Sequence, residues 1–210
     1  DVSGHTVSSG DINGDGYSDI IIGAPNADPL VAQEGRTYVI YGGPTSTATV
    51  QLSTLNAPQG AIFDGVDTSD YSGSSVASGD FNGDGYADLL IGAPLGDGNG
   101  NGHGNAGEAY LVLGGPSIAS VVALNGNSSF LYGGSPNQNT GFSVAFAGDV
   151  NGDGKDDLLI SNHHWESEGG ETGATAVVFG TDNPAATINL FDVGSYDGFL
   201  IAGEVLDTQL

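Results

Sequence analysis

The sequence predicts an all-β protein built from three repeats of four strands each. Three observations carry this. An acidic loop recurs in register, opening at Asp11, Asp80 and Asp149, so each interval is 69 residues. Between the loops, apolar residues gather in short runs rich in Val, Ile, Tyr and Phe, bounded by Gly, Pro, Asn and Asp, as strands are. Glycine fills 37 of 210 positions, far above the usual share of about 7 %, as a chain of many tight turns requires. No segment of useful length carries a 3.6-residue period.

Each period keeps the same order. An alternating strand comes first ("HTVSSGD", "SSVASGD", "FSVAFAGD"), then the loop ("DINGDGYSD", "DFNGDGYAD", "DVNGDGKDD") and an apolar strand ("IIIGAP", "LLIGAP", "LLISNH"). After a variable stretch a third strand follows ("RTYVIYGGP", "EAYLVLGGP", "ATAVVFGTD"). A fourth ends at Gly65, Gly134 or Gly203, again 69 apart. Four strands per repeat is the blade of a β-propeller. The repeats run over about 1–65, 66–134 and 135–203 of a single repeat domain, 1–210. Asp1 aligns with Asp70 and Leu210 with Ser72. One blade is therefore expected to be split between the chain ends, the strand of 197–210 completing it in cis or in trans. Three blades are fewer than the usual 4–8 or so. The expectation is a piece of a longer array, a half-ring that dimerises, or a subunit that polymerises by strand exchange. A chain that opens on Asp1 and holds no methionine reads as a processed or excised product.

Twenty-six acidic residues face two basic ones, Arg36 and Lys155, for a net charge of -24. Nucleic acid and anionic membrane surfaces both attract basic patches, so neither is expected as a partner. Divalent cations are expected instead, because a compact state with this charge must suppress its self-repulsion. No cysteine is present, which removes disulfides and thiol chemistry.

The acidic loop has the makings of a calcium site. Positions 1, 3, 5 and 9 are Asp11, Asn13, Asp15 and Asp19, then Asp80, Asn82, Asp84 and Asp88, then Asp149, Asn151, Asp153 and Asp157. Side chains two apart in a curling loop converge. The glycine at position 6 (Gly16, Gly85, Gly154) permits the sharp turn. The carbonyl at position 7 (Tyr17, Tyr86, Lys155) completes an oxygen cage. Hard oxygens with net negative charge suit Ca²⁺ better than Mg²⁺, which demands a strict octahedron. An EF-hand needs glutamate at position 12, where this chain has Ile22, Ile91 and Ile160 inside a strand. A metal-free Asx turn is the plainer alternative for one loop, but three loops in register argue against it. Three Ca²⁺ ions would bring the formal charge from -24 to -18.

These motifs resemble the FG-GAP repeats of the integrin α-subunit β-propeller, and more closely the tandem repeats of large bacterial surface and secreted proteins. The likeness rests on "SSVASGDFNGDGYADLLIGAP", "DINGDGYSDIIIGAP", "GRTYVIYGGP" and "GEAYLVLGGP". It implies a propeller with Ca²⁺ in the hairpin between the first two strands of a blade. It also implies an extracellular or cell-surface setting and a role in adhesion. Partners would be other copies, further repeats of a longer chain, or an extracellular protein or glycan. The third repeat departs, with "SNHH" at 161–164 in place of "GAP".

Weaker candidates lie in the variable loops, where recognition usually resides. His163, His164, Trp165 and Glu166 form a ligand or transition-metal candidate, set against a plain variable loop with Trp165 covering the core edge. Asp97, Asn99 and Asn101 are a second calcium candidate with one carboxylate, and Asp28 occupies the corresponding loop of repeat 1. Asn127-Ser128-Ser129 is a glycosylation sequon. There is no G-x-S-x-G elbow, H-E-x-x-H or phosphate loop. The expected function is therefore a non-enzymatic, calcium-stabilised recognition module. A self-assembling filament subunit is the alternative, and a secreted hydrolase the third reading.

Overall fold

The computed structural model describes residues 2–28, 33–44, 49–98, 104–124, 129–133, 136–164, 166–167, 170–192 and 194–203. Three antiparallel sheets follow one another along the chain. The first holds β1 (Thr6–Gly10), β2 (Asp19–Ala24), β3 (Arg36–Ile40) and β4 (Gly60–Asp64). The second repeat supplies β5 (Ser75–Gly79), β6 (Asp88–Ala93), β7 (Glu108–Val112), β8 (Val121–Ala123) and β9 (Ser129–Tyr132). The third supplies β10 (Val144–Phe146), β11 (Leu158–Asn162), the two-residue strands β12 (Glu166–Ser167) and β13 (Gly170–Glu171), β14 (Ala174–Val178), β15 (Thr187–Asn189) and β16 (Gly198–Ala202). The blade order is β1-β2-β3-β4, β5-β6-β7-β9 and β10-β11-β14-β16, and among the described residues no sheet closes on itself.

Two features differ from the sequence expectation. First, β16 pairs with β14 of its own repeat, from Ala174↔Ala202 to Val178↔Gly198. Among the described residues each of the three blades thus carries its own fourth strand. Residues 204–210 lie outside the described residues. Second, two sheets gain a fifth strand from the following repeat. Val121–Ala123 runs parallel to β4, and Thr187–Asn189 parallel to β9. Three-residue strands carry too little pattern to be read from sequence. A smaller difference lies in the third hairpin, where Ala147 and Gly148 both face Asp157 through main-chain bonds of 2.8 and 3.0 Å. This bulge absorbs the extra residue of "FSVAFAGD" and keeps Asp149 in loop register.

The blades are held face to face by apolar residues that alternate along each strand. Ile21, Val39, Ala61 and Phe63 of the first blade bury against Val76, Leu89, Ile91, Tyr110 and Val112 of the second. The second blade's other face, with Leu90, Leu111 and Leu131, packs on Val144, Leu158, Ile160, Ala176 and Val178 of the third. Backbone also meets backbone. A Cβ on Gly23 would stand 2.1 Å from the Gly73 carbonyl oxygen, and one on Gly92 2.1 Å from that of Gly141. The glycine of "GAP" is thus a docking position for the next blade. Just beyond it, Ser72 N–H donates to the Glu34 carbonyl and Thr140 N–H to that of Ala106, each at 3.0 Å. The first strands of the three blades lie against one another; the Ser8 and Ser78 hydroxyls are 3.2 Å apart. This arrangement sets the three acidic loops side by side.

Candidate metal centres

In the first loop the Asp11 carboxylate accepts N–H from Gly14, Asp15 and Gly16 at 2.8, 3.1 and 2.9 Å. Asn13 accepts from Asp15 N–H at 3.0 Å, and Asp15 accepts from Tyr17 N–H at 2.9 Å. The same bonds recur around Asp80, Asn82, Asp84 and Tyr86 and around Asp149, Asn151, Asp153 and Lys155. Gly16, Gly85 and Gly154 adopt φ of +86°, +88° and +92°, the left-handed turn that sequence position 6 called for. Positions 1, 3 and 5 are thereby wound around one exposed turn. Among the described residues no three acidic groups stand close enough together to hold an ion as they are placed. The donor set still fits a hard cation: it is all oxygen, solvent-facing and anionic.

Position 9 sits elsewhere. Asp19, Asp88 and Asp157 are each 0 % exposed. Asp19 takes N–H from Ile12 on one oxygen and Gly42 on the other, at 2.9 and 2.8 Å. Asp88 does so with Phe81 and Gly114, both at 2.8 Å. Asp157 does so with Val150 and Gly180, at 2.8 and 2.9 Å. Each carboxylate therefore ties its loop to the end of the third strand of its blade. Burial pushes the Asp19 carboxyl upward and that of Asp88 up to about 6, while the donated N–H groups pull the other way.

The structure adds partners that sequence reasoning missed. Main chain links loop to loop: Ala87 N–H donates to the Asp11 carbonyl and Asp156 N–H to that of Asp80, both at 2.9 Å. The position-7 side chain also reaches the preceding loop. The Tyr86 ring lies against Gly14, and the Lys155 stem against Gly83, while Lys155 Nζ meets Asp182 at 3.2 Å. A residue chosen for its carbonyl thus also covers a neighbour. The glycines receiving position 9, at Gly42, Gly114 and Gly180, had a signal: a glycine closes every third strand.

The other candidates are less convergent. The His163 and His164 ring centroids lie 4.0 Å apart with the rings tilted by 43°, and that of Phe142 lies 4.4 Å from His163. Trp165 lies outside the described residues, and Glu166 is placed only by its backbone in β12. Asp97 accepts Asn105 N–H at 3.1 Å, Asp28 accepts Gln33 N–H, and residues 99–103 lie outside the described residues, as do 125–128 with the sequon asparagine.

A second acidic group lies buried at the seam of the first two blades. Asp70 is 2 % and Glu108 3 % exposed. Glu108 receives Gly98 N–H at 3.0 Å and the Tyr110 hydroxyl. Burial, with Asp67 and Asp97 nearby, raises Asp70 to about 7; burial, with Asp70 adding, raises Glu108 to about 8. In the folded chain these groups keep protons that the unfolded chain releases near pH 4. The stability tied to them is full below that value and lost as pH rises through 7 to 8. In calcium-free buffer the melting temperature should fall from pH 6 to pH 9. Glu108→Gln, whose carbonyl oxygen can still accept the Gly98 N–H while its amide nitrogen donates to a reoriented Tyr110 hydroxyl, should raise it at pH 8 by about 3–8 °C and flatten the profile. A flat parental profile would contradict this.

Fold and loops together define a repeat protein of propeller blades with an acidic hairpin loop in each. The FG-GAP repeat model matches residues 3–40, 72–112 and 140–178, and the chain belongs to that family. It is 31 % identical over 179 residues to rat phosphatidylinositol-glycan-specific phospholipase D, covering 84 % of this chain and 20 % of that one. It is 33 % identical over 167 residues to Xenopus laevis integrin alpha-5. Against human integrin alpha-IIb the figure is 32 % over 166 residues. Both integrin alignments cover 75 % of this chain and 14 % of the integrin. The chain thus spans a fifth or less of these relatives.

Proposed function

We infer that the chain is a calcium-stabilised recognition module of the extracellular space or cell surface, without catalytic activity of its own. The observation that supports this best is the threefold identity of the acidic turns, down to their backbone bonds. Three ions are proposed, held by Asp11, Asn13, Asp15, the Tyr17 carbonyl and Asp19, and by the matching residues of the other two loops. Small rotations at positions 1, 3 and 5 would turn lone pairs now aimed at N–H groups toward an ion. Position 9 would contribute from the buried side through its remaining lone pairs. Calcium then rigidifies each hairpin and relieves carboxylate repulsion where it is densest.

Binding falls to the loops that differ between repeats, among them the one that carries the His163–His164 pair. An extracellular protein or glycan fits the charge, while nucleic acid and anionic lipid do not. The test is capture from panels of extracellular proteins and glycans. At least one partner should be held in calcium and released by EGTA. Capture that ignores EGTA, or none above a scrambled-loop control, would contradict the reading.

A further inference from the structure

The chain builds the seam between neighbouring blades twice, and the two copies differ in charge. Main-chain bonds align them residue by residue. Ser72 N–H meets the Glu34 carbonyl as Thr140 N–H meets that of Ala106, each at 3.0 Å. Leu95 N–H meets the Asp70 carbonyl as His164 N–H meets that of Gln138, each at 3.4 Å. Asp70 stands between Ser69 and Tyr71 at φ of +70° and +58°, and Gln138 between Asn137 and Asn139 at +62° and +54°. Glu108 pairs with Ala93 as Ala174 pairs with Asn162. Three positions that are Glu34, Asp70 and Glu108 in the first seam are therefore Ala106, Gln138 and Ala174 in the second, and all six residues are buried. The second seam closes without carboxylates, so packing does not call for them in the first.

Buried carboxylates are costly unless a cation answers them. Neither basic residue of the chain does so here: Arg36 pairs with Asp64 and Lys155 with Asp182. Half-buried Asp67 and Asp97 add two more acidic groups beside Asp70. The Gly98 N–H and the Tyr110 hydroxyl hold the Glu108 carboxylate in place and leave lone pairs on its oxygens. Asp70 Oδ2 is buried and meets no hydrogen-bond donor among the described residues. Its carboxylate faces Asp67, Asp97, Glu34 and Glu108. An unused oxygen is thus turned into a group of four other carboxylates. A proton neutralises one of them, whereas a divalent cation serves several at once. The donor set is all oxygen and anionic, which suits a hard cation. As placed, no three of these groups are close enough to hold an ion, so side-chain rotation at Asp67, Asp70 and Asp97 must supply the rest of the approach.

We propose that the seam between blades one and two holds a calcium ion of its own, on Asp70 and Glu108 with Glu34, Asp67 and Asp97 around them. Glu34 belongs to blade one and Glu108 to blade two, so the ion clasps the two blades together. This ion is weaker than the loop ions, because the side chains must turn, and burial leaves protons on Asp70 and Glu108 that it has to displace. The expected dissociation constant is in the range of extracellular modules, about 10⁻⁴–10⁻³ M. It therefore fills as a separate phase, after the three loop ions. The inference goes beyond the loop assignment and stands without it, because its ligands are other residues.

Equilibrium dialysis of the whole chain against calcium counts the ions. At about 5 mM, several times the weakest of those constants, the parent should hold one ion more than the double variant Asp70→Asn, Glu108→Gln. The tight loop ions should be the same in both, which also shows that the variant is folded. Asp84→Ala should lose an ion from the tight phase and keep the late one. Were the loops to bind nothing, the parent would hold one ion and the seam variant none, so the two assignments fail separately. Hydrogen exchange in the parent places the late ion. Filling its site to about ten times the dissociation constant should slow exchange of the Ser72 and Gly98 amides roughly tenfold. The Thr140 amide, at the matching bond of the second seam, should not change over the same range. Equal ion counts for the parent and the seam variant, or equal slowing at Ser72 and Thr140, would overturn the proposal.

Discussion

Adding EGTA to the calcium-loaded chain should lower its melting temperature by about 15–30 °C. The size follows from linkage. An ion that binds only the folded state adds about 2.7 kcal/mol at a hundred times its dissociation constant. Three loops add about three times that. For a chain of this length each kcal/mol moves the midpoint by about 2–4 °C. The effect should grow with the logarithm of calcium concentration, and magnesium should reproduce only part of it. The three loops are linked through the Ala87–Asp11 and Asp156–Asp80 main-chain bonds, so the transition should shift as one rather than split into three. A midpoint that ignores EGTA would leave the loops as Asx turns.

The second large effect separates the two roles of the loop carboxylates. Asp88→Ala should destabilise the chain by about 2–4 kcal/mol even in EGTA. It leaves the Phe81 and Gly114 N–H groups without acceptors in a buried hairpin, and each such loss costs about 1–3 kcal/mol. Relief of the buried charge, visible in the raised Asp88 carboxyl, offsets part of this. Asp84→Ala should behave differently. Asp84 is exposed and accepts Tyr86 N–H at the surface, so its loss should be small in EGTA and large in calcium. Equal losses for the two variants in EGTA would contradict the division between a buried clasp and an exposed cage.

Much of this was legible in the sequence, for a physical reason. Period-two alternation, left-handed glycines and Asx turns are local, so "DINGDGYSD" announces its own conformation. Three copies of it marked the blades. What lay hidden depends on the neighbouring blade. Gly23 is one glycine among many until the Gly73 carbonyl is seen beside it. Position 9 reads as one more acid until both its oxygens are found on main chain. Residues 121–123 and 187–189 become strands only because β4 and β9 offer them an edge. The pairing of β16 with β14 of its own repeat is likewise a partner that the aligned chain ends alone do not indicate.

Calorimetric titration of the chelator-treated chain with calcium tests the central claim most directly. Three ions per chain should bind, with two remaining in each of Asp15→Ala, Asp84→Ala and Asp153→Ala. No heat of binding, or a stoichiometry of three that none of these substitutions changes, would contradict it.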